Sequence, residues 1–599
     1  MVWTVFLIIS AVCFLSFAVF SFLKAKKGYK VGRIIDPSKI FFLGVILSAI
    51  FLFVPICINA FKTTDCGVFE TVLIAVHNMI KLFVLGTDFE FVTSNLVGVT
   101  PATYRAYTVF LSSIFVVAPV LTFGFVLSFF KNLSAYKRFF THFKTDTFIF
   151  SKLDEKSISL AKSLSENNSK KRFFVFCDVF AKNDEQSFEL IEQAKEIGAV
   201  CFKKDIKTIN FTFHSKKSEL NFFMIGEDQS ENISGTLKII ADLKYRDKTN
   251  LYVFSTEPEA ELLLARAFEN VGDDAKIRVR RVNEVQSLIS RNLYEKGFEK
   301  IFETAYEDED GIKRINAVVV GFGKYGKEMT KALSWFCQMD GYLAEIDSFD
   351  ADPEAYEKFA SECPELMKYS GRLNVEGESK YTINIHSGIK AETATFDNII
   401  YSLPKTTYAF VALGDDETNV SIAIKLRMLF ARMGYEPQIQ AVVYNSDKKN
   451  ALKNISNFKG QKYDIDFIGD RLDSYSEKVI LGSDIEKIAL ERHLKWGSER
   501  DFWQYSYNYK SSVASAIHSK MKKLCGIKGI EKAPQERTEQ ELWSIRILEH
   551  CRWNAYMRSE GYVYGGTVEN SGRYDLAKTH NCLVPFADLP LKEQEKDDD

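Results

Sequence analysis

The chain has 599 residues, 26% of them charged, and a formal net charge of −2. That length allows several domains, and that charge excludes bulk electrostatic attraction to nucleic acid. Its ten cysteines form no CxxC pair and no metal-ligand spacing, so no metal is expected and a reducing compartment fits better than a disulfide framework.

The first 130 residues are apolar and aromatic, and the remainder is rich in Lys, Asp and Glu. Three early stretches are long enough to cross about 30 Å of hydrocarbon, which takes roughly 20 residues. They are Val2–Leu23, Ile40–Phe61 and Ala106–Phe130. The basic runs at 24–33 and 131–144 should both face the cytoplasm, with the N-terminus outside a plasma (inner) membrane. Between two cytoplasmic points the chain crosses an even number of times, and the second and third spans already supply two crossings. The stretch VFETVLIAVHNMIKLFVLGTDFEF, 68–91, is therefore expected not to cross. Lys81 at its centre would cost a lone spanning helix about 2.5–3.5 kcal/mol. We read it as a short helix that enters from the outer side and turns back, the plan of tetrameric cation channels. Gly86 permits close backbone approach in the turn. Thr87 follows it, and Asp88 and Glu90 are placed to form acidic rings at the mouth. The turn resembles potassium-channel filters only loosely, since the TVGYG order is absent; a cation is expected, without potassium selectivity. Pro119 and Gly124 in the third span are candidate gate hinges.

The polar part repeats a layout. TFIFSKLDEKSISLAKSL from Thr147 and INAVVVGFGKYGKEMTKALSWF from Ile315 each place a strand before a helix. Each is followed by a strand ending in an acid, Asp178 or Asp347. Each then has a strand, an acidic turn and a helix, with Gly226, Asp228 and Asn232 matching Gly414, Asp416 and Asn419. This order predicts two parallel α/β domains in tandem. Gly321, Gly323 and Gly326 form a GxGxxG turn between strand and helix, with Asp347 downstream as the ribose-binding acid. The first copy has Ser151, Leu153 and Lys156 where those glycines would be, so it is expected to bind no dinucleotide. Residues 145–450 resemble tandem RCK domains, the regulators of potassium conductance. The resemblance implies Rossmann-like folds, a homo-oligomer (a tetramer with the pore), gating by a nucleotide or dinucleotide of NAD or ADP-ribose type, and roles in that site for Asp416 and Asn419. Hydride chemistry has only His386 as a candidate group and no Tyr-x-x-x-Lys pair, so no enzyme is expected.

The tail is helical from about 485. It carries His550 and Trp553 in one His-x-x-Trp turn, the Gly-Tyr-x-Tyr-Gly turn with Tyr562 and Tyr564, and HNCLVPFADLP. These motifs, in this order, resemble the ryanodine-receptor repeat (RyR) domain. The resemblance implies a small, nucleotide-derived ligand. His550 lies on that surface; Trp553, Tyr562 and Tyr564 are candidate ring-stacking residues; Arg552 and Arg573 are candidate anion grips.

The expected architecture is an α-helical membrane region (1–144) with three spans and a re-entrant segment. Two α/β Rossmann-like domains follow (145–300 and 310–480), then a mainly α RyR-like domain (485–599). The expected function is a ligand-gated cation channel in a lipid bilayer. The alternative is a membrane-anchored, nucleotide-sensing signalling or defence effector without a pore.

Overall fold

The computed structural model describes residues 2–26, 37–63, 67–84, 86, 89–166, 171–179, 185–256, 258–271, 276–372, 379–453, 457–458, 461–565 and 572–597. They form two compact units, Met1–Thr141 and His142–Asp599.

Among the described residues of the first unit the regular elements are all helices. Within it Val2–Ser21, Phe41–Lys62 and Pro101–Phe123 are long and apolar enough to cross a membrane, which marks the protein as membrane-associated. The first two helices touch closely. A Cβ on Gly44 would meet the Phe17 side chain at 2.3 Å. At this approach Ser10 Oγ donates to the Ser48 carbonyl (2.7 Å) and Ser48 Oγ donates back to the Ser10 carbonyl (3.1 Å). Small and hydroxyl residues join helices where the surroundings are as apolar as leucine. The last helix, Pro101–Thr141, runs through Pro119 and Gly124 without a break.

Between the second and last long helices lies an excursion of two short helices, Val68–Leu82 and Phe89–Ser94. Its entry meets the C-terminal end of the helix Pro37–Thr63, where Cys57 Sγ donates to the Thr71 carbonyl at 3.9 Å. Its exit meets the same end, where Asn59 Nδ2 donates to the Asn95 carbonyl at 2.8 Å. The turn between lies beside the opposite end, with the Phe83 and Phe42 rings 6.0 Å apart. The helix Val68–Leu82 buries Thr71, Ala75, Asn78 and Leu82 and exposes Val72, Leu73, Val76 and Ile80. That is the reverse of a water-facing amphipathic helix.

The second unit contains two sheets, each with six parallel strands in the same order. The first runs Val200–Phe202, Arg172–Cys177, Asp146–Phe150, Leu220–Met224, Thr249–Phe254, Ile277–Val282. The second runs Tyr381–Ser387, Tyr342–Asp350, Lys313–Val320, Tyr408–Val411, Gln438–Val442, Ile465–Ile468. In chain order each is 3-2-1-4-5-6, the Rossmann arrangement, with a crevice where the direction of winding reverses. A short strand, Tyr306–Glu307, pairs antiparallel with the start of Lys313–Val320. Both sheets are covered on both faces, so their strands read as nearly unbroken apolar runs. In the first sheet Phe176, Phe150, Phe223 and Tyr252 stack across four strands at 4.8–4.9 Å.

The two α/β domains exchange covering elements. Helix Glu284–Gly297 follows the first sheet but docks on the second through Asn292–Gln440 (2.9 Å) and Lys296–Asp466 (2.8 Å). Residues 471–481 follow the second sheet but return to the first core, where Arg172 forms a two-pronged pair with Glu477. The C-terminal helices Ser506–Leu524 and Glu539–Ser559 share one hydrophobic core with the second sheet. This interlocking explains why 142–599 is one unit.

Candidate functional site

Two places in the second unit combine open space with chemistry suited to a ligand. The first is the glycine turn at the winding reversal of the second sheet. Gly321 has φ +88°, and a Cβ there would sit 2.3 Å from the Ala412 carbonyl oxygen. A Cβ on Gly326 would sit 1.8 Å from the Gly321 oxygen, so only glycine lets the helix Lys324–Phe336 dock. A Cβ on Gly323 would meet nothing within 4 Å, and the same holds across the crevice at Gly414. The three glycines thus divide into a tight turn, an open approach and a close packing contact, the division a pyrophosphate-binding loop needs. Gly323 is the N-cap of its helix and offers no side-chain cap to the first N–H groups. Free N–H groups and the helix dipole attract anions at such a terminus.

The expected strand-end acid of this crevice is corrected, and the surroundings of Asp416 and Asn419 are now defined. Asp347 is not at the strand end. The strand continues to Asp350, and Asp347 is 4% exposed, holding His386 Nε2 at 2.8 Å. Asp350 takes the end position, and its carboxylate accepts from the Phe322 N–H at 2.6 Å. Asn419 is fully buried and ties neighbouring strand ends together through Leu413 N–H and the Val442 carbonyl. Asp416 accepts from the N–H groups of Tyr444 (2.7 Å) and Asn445 (3.0 Å). Both residues spend their polar atoms on the crevice's own backbone. His386 stacks on Phe349 at 4.4 Å, so its ring and its Asp347 partner form part of the sheet.

In the first domain the corresponding turn is filled. Leu153 is buried in the core, its N–H donates to Asp178, and Ser151 exchanges two hydrogen bonds with Ile225. Lys152 places its ammonium between Asp178 (3.7 Å) and Glu231 (3.5 Å).

The second place is a cavity of about 700 Å³ in the C-terminal module. That volume suits a ligand of drug or nucleotide size. Of the residues singled out in the tail, His550, Arg552, Trp553 and Arg573 line it. Tyr562 and Tyr564 do not: the Tyr562 hydroxyl is committed to Asp575 at 2.7 Å, and Tyr564 is 57% exposed elsewhere. The wall missed in the sequence comes from 492–515, including Arg492, Trp496, Tyr507 and Ser512. The aromatic run DFWQYSYNYKSS was the available signal. Arg573 lies over the Tyr507 ring at 4.1 Å, and Trp553 Nε1 donates to the Tyr507 hydroxyl at 3.3 Å.

The wall is ionised in a defined pattern. Burial alone would raise the Glu549 carboxyl, but Arg552, Lys522 and Arg492 hold it well below the usual carboxylate range. Burial and the Arg573 charge push His580 down to about 4, so it is neutral at pH 7. Its Nδ1 accepts from the Cys582 N–H, which leaves the proton on Nε2 as a donor. His550 is equally committed, its Nε2 donating to the Val584 carbonyl at 2.8 Å.

Of the filter residues named from sequence, Thr87 and Asp88 lie outside the described residues. Gly86 donates its N–H to the Lys81 carbonyl at 2.9 Å, and Glu90 is exposed in the first turn of its helix. No family model matches this chain, and no curated protein matches it in sequence.

Proposed function

We propose that this protein is a ligand-gated cation channel whose soluble unit senses a nucleotide or related small molecule. The observation that carries the reading is the excursion at 67–95, whose entry and exit meet the same end of one apolar helix while its turn reaches the other end. A segment that descends along a spanning helix and returns within the membrane needs surrounding protein or water for its backbone. A ring of identical subunits around a pore supplies both. The exposed apolar face of Val68–Leu82 fits packing against lipid or a neighbouring subunit, and Glu90 stands at the return of the turn.

The twin Rossmann-like sheets and the C-terminal cavity support the sensing half of the reading. A ligand shifts a pore only by binding its two states unequally, and moving 1:99 to 99:1 takes about 5.5 kcal/mol. Several subunits acting together share that requirement.

Purified protein in liposomes tests the pore directly. Cation flux is expected from the intact chain and is expected to fall severalfold in a Glu90→Gln, Asp88→Asn variant. In cells, an impermeant maleimide added outside should label both Val68→Cys and Val97→Cys. Labelling of those two positions from opposite sides, or flux indifferent to both acids, refutes the pore and leaves an anchored effector.

A further inference from the structure

Arg552 lines the C-terminal cavity, is 2% exposed, and has a buried Nη1 with no hydrogen-bond partner. Its other nitrogens are committed: Nη2 and Nε donate to one Glu549 oxygen at 2.9 and 3.2 Å. A buried guanidinium nitrogen without a partner is costly. Arg552 belongs to the wall of the nucleotide-sized cavity, so a small movement of its side chain turns this nitrogen into a donor for an anion there. The hydroxyls of Ser511 and Ser512 and the ring N–H of His580 border the same space. The aromatic side chains of Trp553 and Tyr507 supply flat apolar wall beside it.

Glu549 is also the hub of a second set of contacts leading away from the cavity. Its other oxygen accepts from Lys522, which is fully buried, at 2.7 Å. The same oxygen lies 4.0 Å from His518 Nδ1. His518 is fully buried, and its Nε2 is 2.7 Å from the Gln338 carbonyl. A carbonyl only accepts, so the proton is on Nε2 and Nδ1 is bare. Burial and the Lys522 charge push His518 down to about 3, in keeping with that neutral form. Gln338 lies just past the helix Lys324–Phe336, whose other end is the glycine turn. Its side chain caps the Ser334 carbonyl and accepts from Lys380 N–H, so it fastens that helix to the strand beginning at Tyr381.

We infer that the cavity binds the phosphate of a ring-bearing ligand through Arg552, and that Glu549 and His518 carry its occupancy to Gln338 and the glycine-turn helix. This rests on the reading that the soluble unit senses a small molecule. An anion on Nη1 draws Arg552 from Glu549, the carboxylate turns toward Lys522, and the field it exerts on the bare Nδ1 of His518, 4.0 Å away in this structure, changes with it. The imidazole passes the change on through its Nε2–H, which donates to the Gln338 carbonyl at 2.7 Å. A ligand at one end and a ligand at the glycine turn would then each alter the other's affinity by the same factor.

Calorimetry and hydrogen exchange on the full chain in detergent test this, with ADP, pyrophosphate and adenosine as probes. ADP and pyrophosphate should compete, and adenosine should bind far more weakly. Arg552→Gln should weaken ADP by about tenfold or more, the size of one charge-assisted bond. ADP should slow amide exchange at 333–340 in the intact protein. In His518→Leu, ADP should still bind, yet that protection should vanish. His518→Gln, which keeps a donor for Gln338, should restore part of it and guards against a folding artefact. The proposal falls if neither ADP nor pyrophosphate binds, if Arg552→Gln binds as well as the parent, or if protection at 333–340 persists in His518→Leu. None of these readings needs a pore, so an absence of flux with binding and transmission intact would refute the channel and leave the relay standing.

Discussion

Gly326→Ala is expected to unfold the glycine-turn domain, while Gly323→Ala leaves its stability nearly unchanged. The two positions lie three residues apart in one motif, so composition and propensity do not separate them. Space does. A Cβ at 326 would stand 1.8 Å from the Gly321 carbonyl oxygen, which is backbone and can move only if the helix or the strand moves. Overpacking of this kind costs about 1–3 kcal/mol, and more when main chain must shift. Gly321→Ala adds a left-handed backbone to a 2.3 Å contact with Ala412, and a non-glycine residue held there costs of the order of 1–3 kcal/mol in itself. At 323 the added methyl meets nothing within 4 Å. The cost there is below about 1 kcal/mol, the usual price of a poor N-cap. That methyl enters the approach path of a phosphate, so affinity for NAD, used as a probe, should fall at 323 alone without loss of stability. Thermal unfolding of the three variants, read beside NAD titrations, checks the order. Equal destabilisation at 323 and 326 would refute the geometry.

The glycine motif was legible because every part of it is local: strand Lys313–Val320 runs through the turn directly into helix Lys324–Phe336. The three apolar spans and the repeated strand–helix layout were legible for the same reason. Asp347 was misplaced because a buried parallel strand does not alternate. GYLAEIDSFD offers Asp347 and Asp350 three residues apart, and nothing in the pattern says that the strand runs on to the second. For Asp416 and Asn419 the resemblance implies a place beside the ligand, but spacing alone does not show what their polar atoms hold. Apart from Leu413, their partners, at 442–445, come from a different strand and its following loop, which sequence spacing does not bring together. The cavity wall at 492–515 and the exchange of helices between the two domains rest on contacts across tens to hundreds of residues. Arg172 with Glu477 is an example.

Glu549→Gln is expected to be the most destabilising conservative change in the C-terminal module. The substitution keeps the shape and hydrogen-bonding reach but removes the negative charge facing Lys522 at 2.7 Å and Arg552 at 2.9 Å. Lys522 is fully buried and Arg552 nearly so, so water cannot take over the lost role. Breaking a buried pair from one side typically costs about 3–5 kcal/mol, because the partner is left charged in a poor solvent. Adding Lys522→Met to the variant removes one stranded charge, so the double variant should be more stable than Glu549→Gln alone. That sign distinguishes an electrostatic hub from simple packing. The pH dependence follows from the same charges. The folded Glu549 carboxyl is held well below its ordinary value, so its contribution is fully present above the unfolded pKa of about 4.3 and is lost as pH falls through the folded value. The gap between parent and Glu549→Gln should therefore stay constant from pH 8 down to about 5 and close only in stronger acid. Denaturant unfolding across that range measures it. A gap below about 1 kcal/mol, or one that closes near neutrality, would mean that Glu549 is not the charge that holds Lys522 and Arg552 in the wall.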